Sequence, residues 1–551
     1  MSTVWNPSAL PGHAAMETQK TREVSKYPKW EGVTLAGLLL AVSLVLGFQL
    51  LFRYHILYGD ALSRVLNGMY TVLRPGFHLA AVGFLWNPLP ALLAIPLAEF
   101  RLVWPPIMEY GYASNIISAC FAAVGVYHMN RLLWRFGFAR TARILWCLLY
   151  VANPLMLLYG ANGMTDGMMC AIAVATIDNL TGYMKTDRLT DLVKAGSWLA
   201  AEFMTRYESV PIGFGIGLGL AIMVYKRDKI WARAEAMALM FWFPVICAGV
   251  TWMLLNWMIM GSPLYFANSR YSNSVQISSG HYNTPAVVAA RHNIVVSLSE
   301  VVHFTLLFWP YMIVAGIVLV LSFFRHNDRI GLPILLGSLG APALQAFLLY
   351  THRSADWDRF FIYYIPFGLM LSAYLVSQIP SAWRGAAALT SVLLLVSADI
   401  TTLQTLRSPV WGNGDNWAVN KIYGSQGSAV SNAALNTWSA IQNSANTGRF
   451  INAHPNLKVI ISSFTSYGVI PFIKNPNQIV ITSDTNFKAV LLNPRGRVNA
   501  FLVSPFNAFT KASDIITATY PTMWQGGVSW TRLIRQFPDG SRLYAVLPDA
   551  P

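Results

Sequence analysis

From Val33 to about Ile400 the chain repeats apolar runs of about 20 residues, the length that crosses a hydrocarbon layer as a helix. With 55% of its residues hydrophobic and only 11% charged, a chain of 551 residues lacks the polar surface to stay in water unless those runs lie in lipid. Residues 401–551 read as ordinary soluble sequence. The expected fold class is therefore a polytopic α-helical membrane protein with a C-terminal extracytoplasmic α/β domain.

The net charge of +15 would suggest nucleic acid in a soluble protein. Here Lys and Arg fall in short links between apolar runs, the positive-inside pattern, and no nucleic-acid partner is expected. Basic links mark the cytoplasmic side at the amino-terminal tail, Arg131 to Arg143, Lys185 to Lys194, Lys226 to Arg233, Arg325 to Arg329 and Arg384. Spans then follow by alternation at roughly 32–53, 111–131, 144–160, 167–184, 195–206, 209–225, 236–259, 297–324, 331–350, 360–379 and 385–402, about eleven in all. An odd number puts the amino terminus in the cytoplasm and the carboxyl terminus outside. The expected division is a cytoplasmic tail (1–30), a transmembrane module (31–402) and a soluble extracytoplasmic domain (403–551). No small-residue cleavage site follows the first apolar run, so its helix is read as retained. The four Cys residues lie in apolar runs and form neither a disulfide framework nor a zinc spacing.

The outer segment 54–110 is too long for a connector and carries apolar stretches with proline, which suggests helices lying in the membrane interface. Beyond Thr401, "KVIISSF", "QIVITSD", "AFLVSP", "WTRLIRQF" and "RLYAVLP" read as short strands, with helices near Leu435–Ser444 and Ala512–Thr519. Ser462, Ser463 and His454 are scattered among them and make no catalytic triad.

Ionisable residues at the expected outer face carry the functional argument. They are Asp60 in "YGDALSR", Asp166 in "NGMTDGM", Arg206 and Glu208 in "TRYES", and Arg353, Asp356, Asp358 and Arg359 in "HRSADWDRF". Each has a structural explanation: Asp60 and Asp166 as helix caps, Arg206 with Glu208 as a pair, Arg359 paired with Asp356 or Asp358. Four separate links converge on one face, however, and ionisable groups at membrane depth are costly enough to mark sites. Outer arginines oppose the positive-inside bias, and a phosphate explains them, since the guanidinium fork matches phosphate oxygens. Carboxylates for a hydroxyl acceptor beside guanidinium groups for a phosphate leaving group suggest glycosyl transfer from a lipid phosphate.

The same stretches resemble the polytopic GT-C glycosyltransferases, the group of the protein O-mannosyltransferases and lipid A aminoarabinose transferases. "YGDALSR" after the first helix matches their acidic residue in the first outer loop, "VGFLWNPLPALLAIP" their interfacial Trp-Pro-Leu stretch, and "NPLMLLYGANGMTDGM" and "TRYES" later outer turns. The resemblance implies a polyprenyl-phosphate-linked sugar as donor, a glycan, lipid or protein as acceptor, inversion at the anomeric carbon, and Asp60 as the base. Arg206, with Arg353 or Arg359, would stabilise the departing phosphate. Asp166 and Glu208 would orient Arg206 or bind sugar hydroxyls, and His78, Trp86 and Asn87, on the interfacial helix, would line the donor entrance. The first loop has Gly59-Asp60-Ala61 in place of an Asp-X-Asp motif, so no metal or other cofactor is expected, a divalent ion at Asp356–Asp358 being the alternative. The rival readings are a flippase or transporter of a lipid-linked glycan and a non-catalytic membrane subunit.

Overall fold

A computed structural model describes residues 27–74, 77–278, 284–306, 308–324, 330–355, 357–408, 415–424 and 432–551. Most of the tail, the basic cluster Arg325–Arg329 and Asp356 lie outside the described residues.

Among the described residues seven helices are long and apolar enough to cross a membrane: Lys29–Arg53, Tyr112–Arg135, Ser209–Asp228, Trp231–Met260, Gly331–Tyr350, Asp358–Gln378 and Ser381–Arg407. The other four expected spans are helical too, but each departs from one long apolar helix. The run 144–160 breaks at Asn153, whose side chain accepts from the Leu155 and Met156 amides and starts a new helix, Pro154–Tyr159. Pro154 cannot continue the preceding helix but suits the first position of the next. The helix over the expected span 195–206 is Leu189–Phe203, only 15 residues long. In place of a single span over 297–324 stand Ile294–Leu306 and a second helix from Trp309, turned by 102°.

The fourth case, Thr165–Thr186, is buried on every side from Thr165 to Met184, packed between Tyr112–Arg135 and Leu189–Phe203. It is the axis of the module. Small residues let its neighbours approach: a Cβ on Gly125 of Tyr112–Arg135 would lie 3.0 Å from the Ala171 Cβ. Likewise Gly215 and Gly340 bring Ser209–Asp228 against Gly331–Tyr350 where any side chain would collide with backbone.

Segment 54–110 forms short helices, chiefly Gly59–Thr71 and Leu89–Ala98. Gly59–Thr71 is amphipathic, burying Ala61, Leu62, Val65, Leu66 and Met69 along one stripe.

The C-terminal region holds the five expected strands, β1 (Val459–Ile461), β2 (Ile479–Ile481), β3 (Ala500–Val503), β4 (Thr531–Gln536) and β5 (Arg542–Val546), in the order β2-β1-β3-β5-β4. The first three are parallel, and β5 and β4 run antiparallel beyond them. Burial on both faces explains why β1 to β3 read as continuous apolar runs. The expected helix near Leu435–Ser444 is Asn432–Asn452, and the one near Ala512–Thr519 is split into Ala508–Ser513 and Ile515–Thr519.

This domain sits directly on segment 54–110. Trp438 stacks on His55 at 4.2 Å and on Tyr110 at 5.3 Å, and Arg74 pairs with Asp484 at 2.7 Å. One apolar cluster runs from Leu62, Met69 and Ile117 into Ile441, Ile461 and Leu502. The boundary near 402 is thus crossed by a shared core.

Candidate functional site

Asp60 lies in the first turn of Gly59–Thr71 and makes no capping bond: the N-cap is Tyr58, and no side chain caps the helix. The capping explanation for Asp60 therefore fails, although a carboxylate there still suits the positive end of the helix. Its side chain is 41% exposed and meets Arg359 at 3.3 Å. Arg64 follows one turn later on the same flank of the helix. It is 7% exposed, lies 4.8 Å above the Trp86 ring, and has no hydrogen bond or ion pair among the described residues.

Arg206 occupies the break between Leu189–Phe203 and Ser209–Asp228, where Arg206 and Glu208 are expected at the outer face. One terminal nitrogen donates to Asp166 Oδ1 at 2.9 Å and the other to Glu208 Oε1 at 2.5 Å. Asp166, in the first turn of the axial helix, is fully buried. Its Oδ2 and the Arg206 Nε have no partner. Burial works to raise the Glu208 carboxyl, but the Arg206 guanidinium overrides it and holds the group below its ordinary range. Two carboxylates on one guanidinium leave this triad net negative. Nearby Glu202 is buried with both carboxylate oxygens unpartnered.

Arg359 lies on the short turn Asp358–Phe361, its guanidinium 4.2 Å above the Trp357 ring. It pairs with Asp60; Asp358 instead accepts from the Arg359 backbone amide at 2.8 Å and keeps a free, buried Oδ2. Behind it stands Asp415, from the start of the soluble region. Tyr58 donates to its Oδ1 at 2.6 Å and Tyr159 to its Oδ2 at 2.7 Å. Burial raises the Asp415 carboxyl, with the two tyrosine hydroxyls working against that rise.

Asp60, Asp166, Arg206, Glu208 and Arg359 thus converge. Arg353 does not: it is exposed and pairs with no acid of the group. His78, Trp86 and Asn87 are not on a helix, contrary to expectation; they occupy the turns around Leu79–Val82 and before Leu89–Ala98, where Gly83 at φ 81° and Pro88 interrupt helical geometry. His78 Nε2 bonds the Ser483 carbonyl at 2.7 Å and so latches the soluble domain. Asn87 donates to the Phe203 carbonyl, beside the Arg206 turn. In the soluble domain Ser462 is buried past β1 and His454 is exposed with its Nδ1 on the Phe450 carbonyl, with no triad among them. Among the described residues no three His, Cys, Asp or Glu side chains gather as a metal would need.

Sequence reasoning missed Arg64, Tyr58, Tyr159 and Asp415. Arg64 had a readable signal, standing four residues after Asp60 in an amphipathic stretch; Asp415 had none, since its partners lie about 350 and 250 residues away.

No protein-family model matches the chain, and no curated protein matches it in sequence. Among solved structures it is similar to ArnT from Cupriavidus metallidurans bound to undecaprenyl phosphate, with a TM-score of 0.53 and 13% identity over 92% of this chain and 97% of that one. The apo state of ArnT from the same organism gives a TM-score of 0.53 and 13% identity over 93% and 98%. At this identity the likeness establishes the fold alone: the chain is built like ArnT over nearly its whole length.

Proposed function

We propose that the protein transfers a sugar from a polyprenyl-phosphate-linked donor to a hydroxyl acceptor on a glycan, lipid or protein, with inversion, at the outer face of the membrane. The observation that carries this reading is the half-exposed Asp60 carboxylate, beside the Arg359 guanidinium and in front of a buried group of ionised residues. ArnT, similar in fold, holds undecaprenyl phosphate, which supports the donor class.

In this mechanism the acceptor O–H gives its proton to Asp60 as its oxygen attacks the anomeric carbon. The bond from that carbon to the phosphate oxygen breaks, and the polyprenyl phosphate leaves with the electron pair. Arg359, rather than the exposed Arg353, faces the developing phosphate charge. Asp166 and Glu208 hold Arg206 in place behind the site. No metal is needed, since guanidinium groups supply the charge. The amino terminus lies in the cytoplasm and the soluble domain outside, covering the site through the His78, Arg74 and Trp438 contacts.

The test is transfer by the purified full-length protein from a polyprenyl-phosphate sugar to an acceptor extract, with Asp60→Asn alongside. Wild-type transfer lost in the variant is expected. Full transfer by the variant removes Asp60 as the base, and movement of a labelled lipid-linked glycan across vesicles without any transfer makes the protein a flippase.

A further inference from the structure

Three arginines approach the site, and their surroundings differ. Arg206 has both terminal nitrogens engaged by carboxylates, so an added anion meets a net negative triad. Arg359 is shared with Asp60. Arg64 is buried, and among the described residues nothing anionic pairs with it and nothing accepts from it. Its guanidinium lies 4.8 Å above the Trp86 ring, which steadies a cation without neutralising it. Burial pulls its pKa down to about 10, still well above neutral, so it stays charged.

Asp60 and Asp166 act on it only through space, and a buried charge that no acceptor contacts is costly, a cost offset where a ligand supplies the contact. The helix Gly59–Thr71 also sets the spacing: Asp60 and Arg64 are one turn apart on one flank, the carboxylate exposed and the guanidinium sheltered. Resting on the proposed transfer, we infer that Arg64, stacked on Trp86, is a second guanidinium, beside Arg359, that binds the phosphate of the lipid donor. Arg206 is then a positioning residue, and one helix carries both the base and the anchor of the leaving group.

The ligand chemistry is a phosphate on a lipid, which a bilayer phospholipid also offers, so the test separates the two. Full-length protein in phosphatidylcholine nanodiscs is titrated with a long-chain polyprenyl phosphate, the matching neutral polyprenol, and phosphatidic acid. Wild type should prefer polyprenyl phosphate over both others by about tenfold or more, as one charge-assisted contact allows. Arg64→Gln should lose that preference while binding polyprenol unchanged, and Arg64→Lys should keep part of it. Without polyprenyl phosphate, Arg64→Gln should melt at or above the wild-type temperature, because a buried charge that no acceptor contacts has been removed; a structural arginine would show the reverse. Unchanged affinity in Arg64→Gln, or phosphatidic acid binding as tightly as polyprenyl phosphate, overturns the assignment. Sugar transfer with unchanged affinity in Arg64→Gln refutes this inference alone, whereas Arg64-dependent binding without any transfer refutes only the proposed reaction.

Discussion

Among the described residues two buried ion clusters stand toward opposite ends of the axial helix Thr165–Thr186, and they are built on opposite terms. At the end near the Arg131–Arg143 link, Asp178 accepts from His128 at 2.7 Å, Arg131 at 2.5 Å and Arg135 at 2.8 Å. Beside it both Glu31 oxygens are held by Arg143. No buried polar side-chain atom of these residues is left without a partner. At the other end Asp166 Oδ2, Arg206 Nε, Asp358 Oδ2 and the Arg64 Nε are buried and unpartnered. Buried polar groups are satisfied in a network that serves only the fold, and the exceptions ask for an explanation. One cluster closes on itself and holds helices together; the other leaves open the polar atoms at which, under the proposed reaction, the donor would bind.

The strongest way to break that contrast is to remove one acid from each end. Asp60→Asn should lower transfer by about 10² to 10⁴-fold, the range of a general base, while the melting temperature stays close to wild type because the side chain is half exposed. Asp178→Asn should do the opposite. It leaves Arg131, Arg135 and His128 without their buried counter-charge, costing about 3–5 kcal/mol in denaturant unfolding, with little change in rate per folded molecule. If Asp178→Asn abolishes transfer in protein that remains folded, the two ends are not distinct in role.

A smaller effect sharpens how the C-terminal domain belongs to the cluster around Asp60. Trp438→Ala removes two ring contacts worth about 0.5–1.5 kcal/mol each and should speed limited proteolysis after residue 402, raising KM for the acceptor more than it lowers kcat. An unchanged proteolysis rate would mean that the shared core, not the stacking, holds the domain. The smallest effect is in pH. The Glu208 carboxyl is held below its unfolded value, so its stabilisation is present above about pH 4.3 and is lost as the pH falls through the lowered value. Stability measured from pH 7 down to 3 should therefore fall less steeply at the acid end in Glu208→Gln than in wild type.

The elements most legible in sequence were those set by local pattern. Apolar runs placed the long helices, and the five strand stretches after Thr401 each became a strand, because periodicity and burial are written in neighbouring residues. Breaks were harder. "YVANPLMLLYG" reads as one apolar span, yet Asn153 and Pro154 divide it, and 297–324 holds a 102° turn that its composition conceals.

For the site, the sequence by itself determined which residues could serve: Asp60, Asp166, Arg206, Glu208 and Arg359 stand out because charge is expensive beside apolar runs. Only the tertiary structure decided how they pair. Arg206 takes Asp166, 40 residues away, as well as its neighbour Glu208, and Arg359 takes Asp60, 299 residues away, rather than the acids beside it. Asp415 reaches Tyr58 and Tyr159 across most of the chain. Pairing depends on distance in space, to which sequence separation gives no guide. The same reason hid Arg64: among the described residues no acceptor contacts it, and that is visible only in three dimensions.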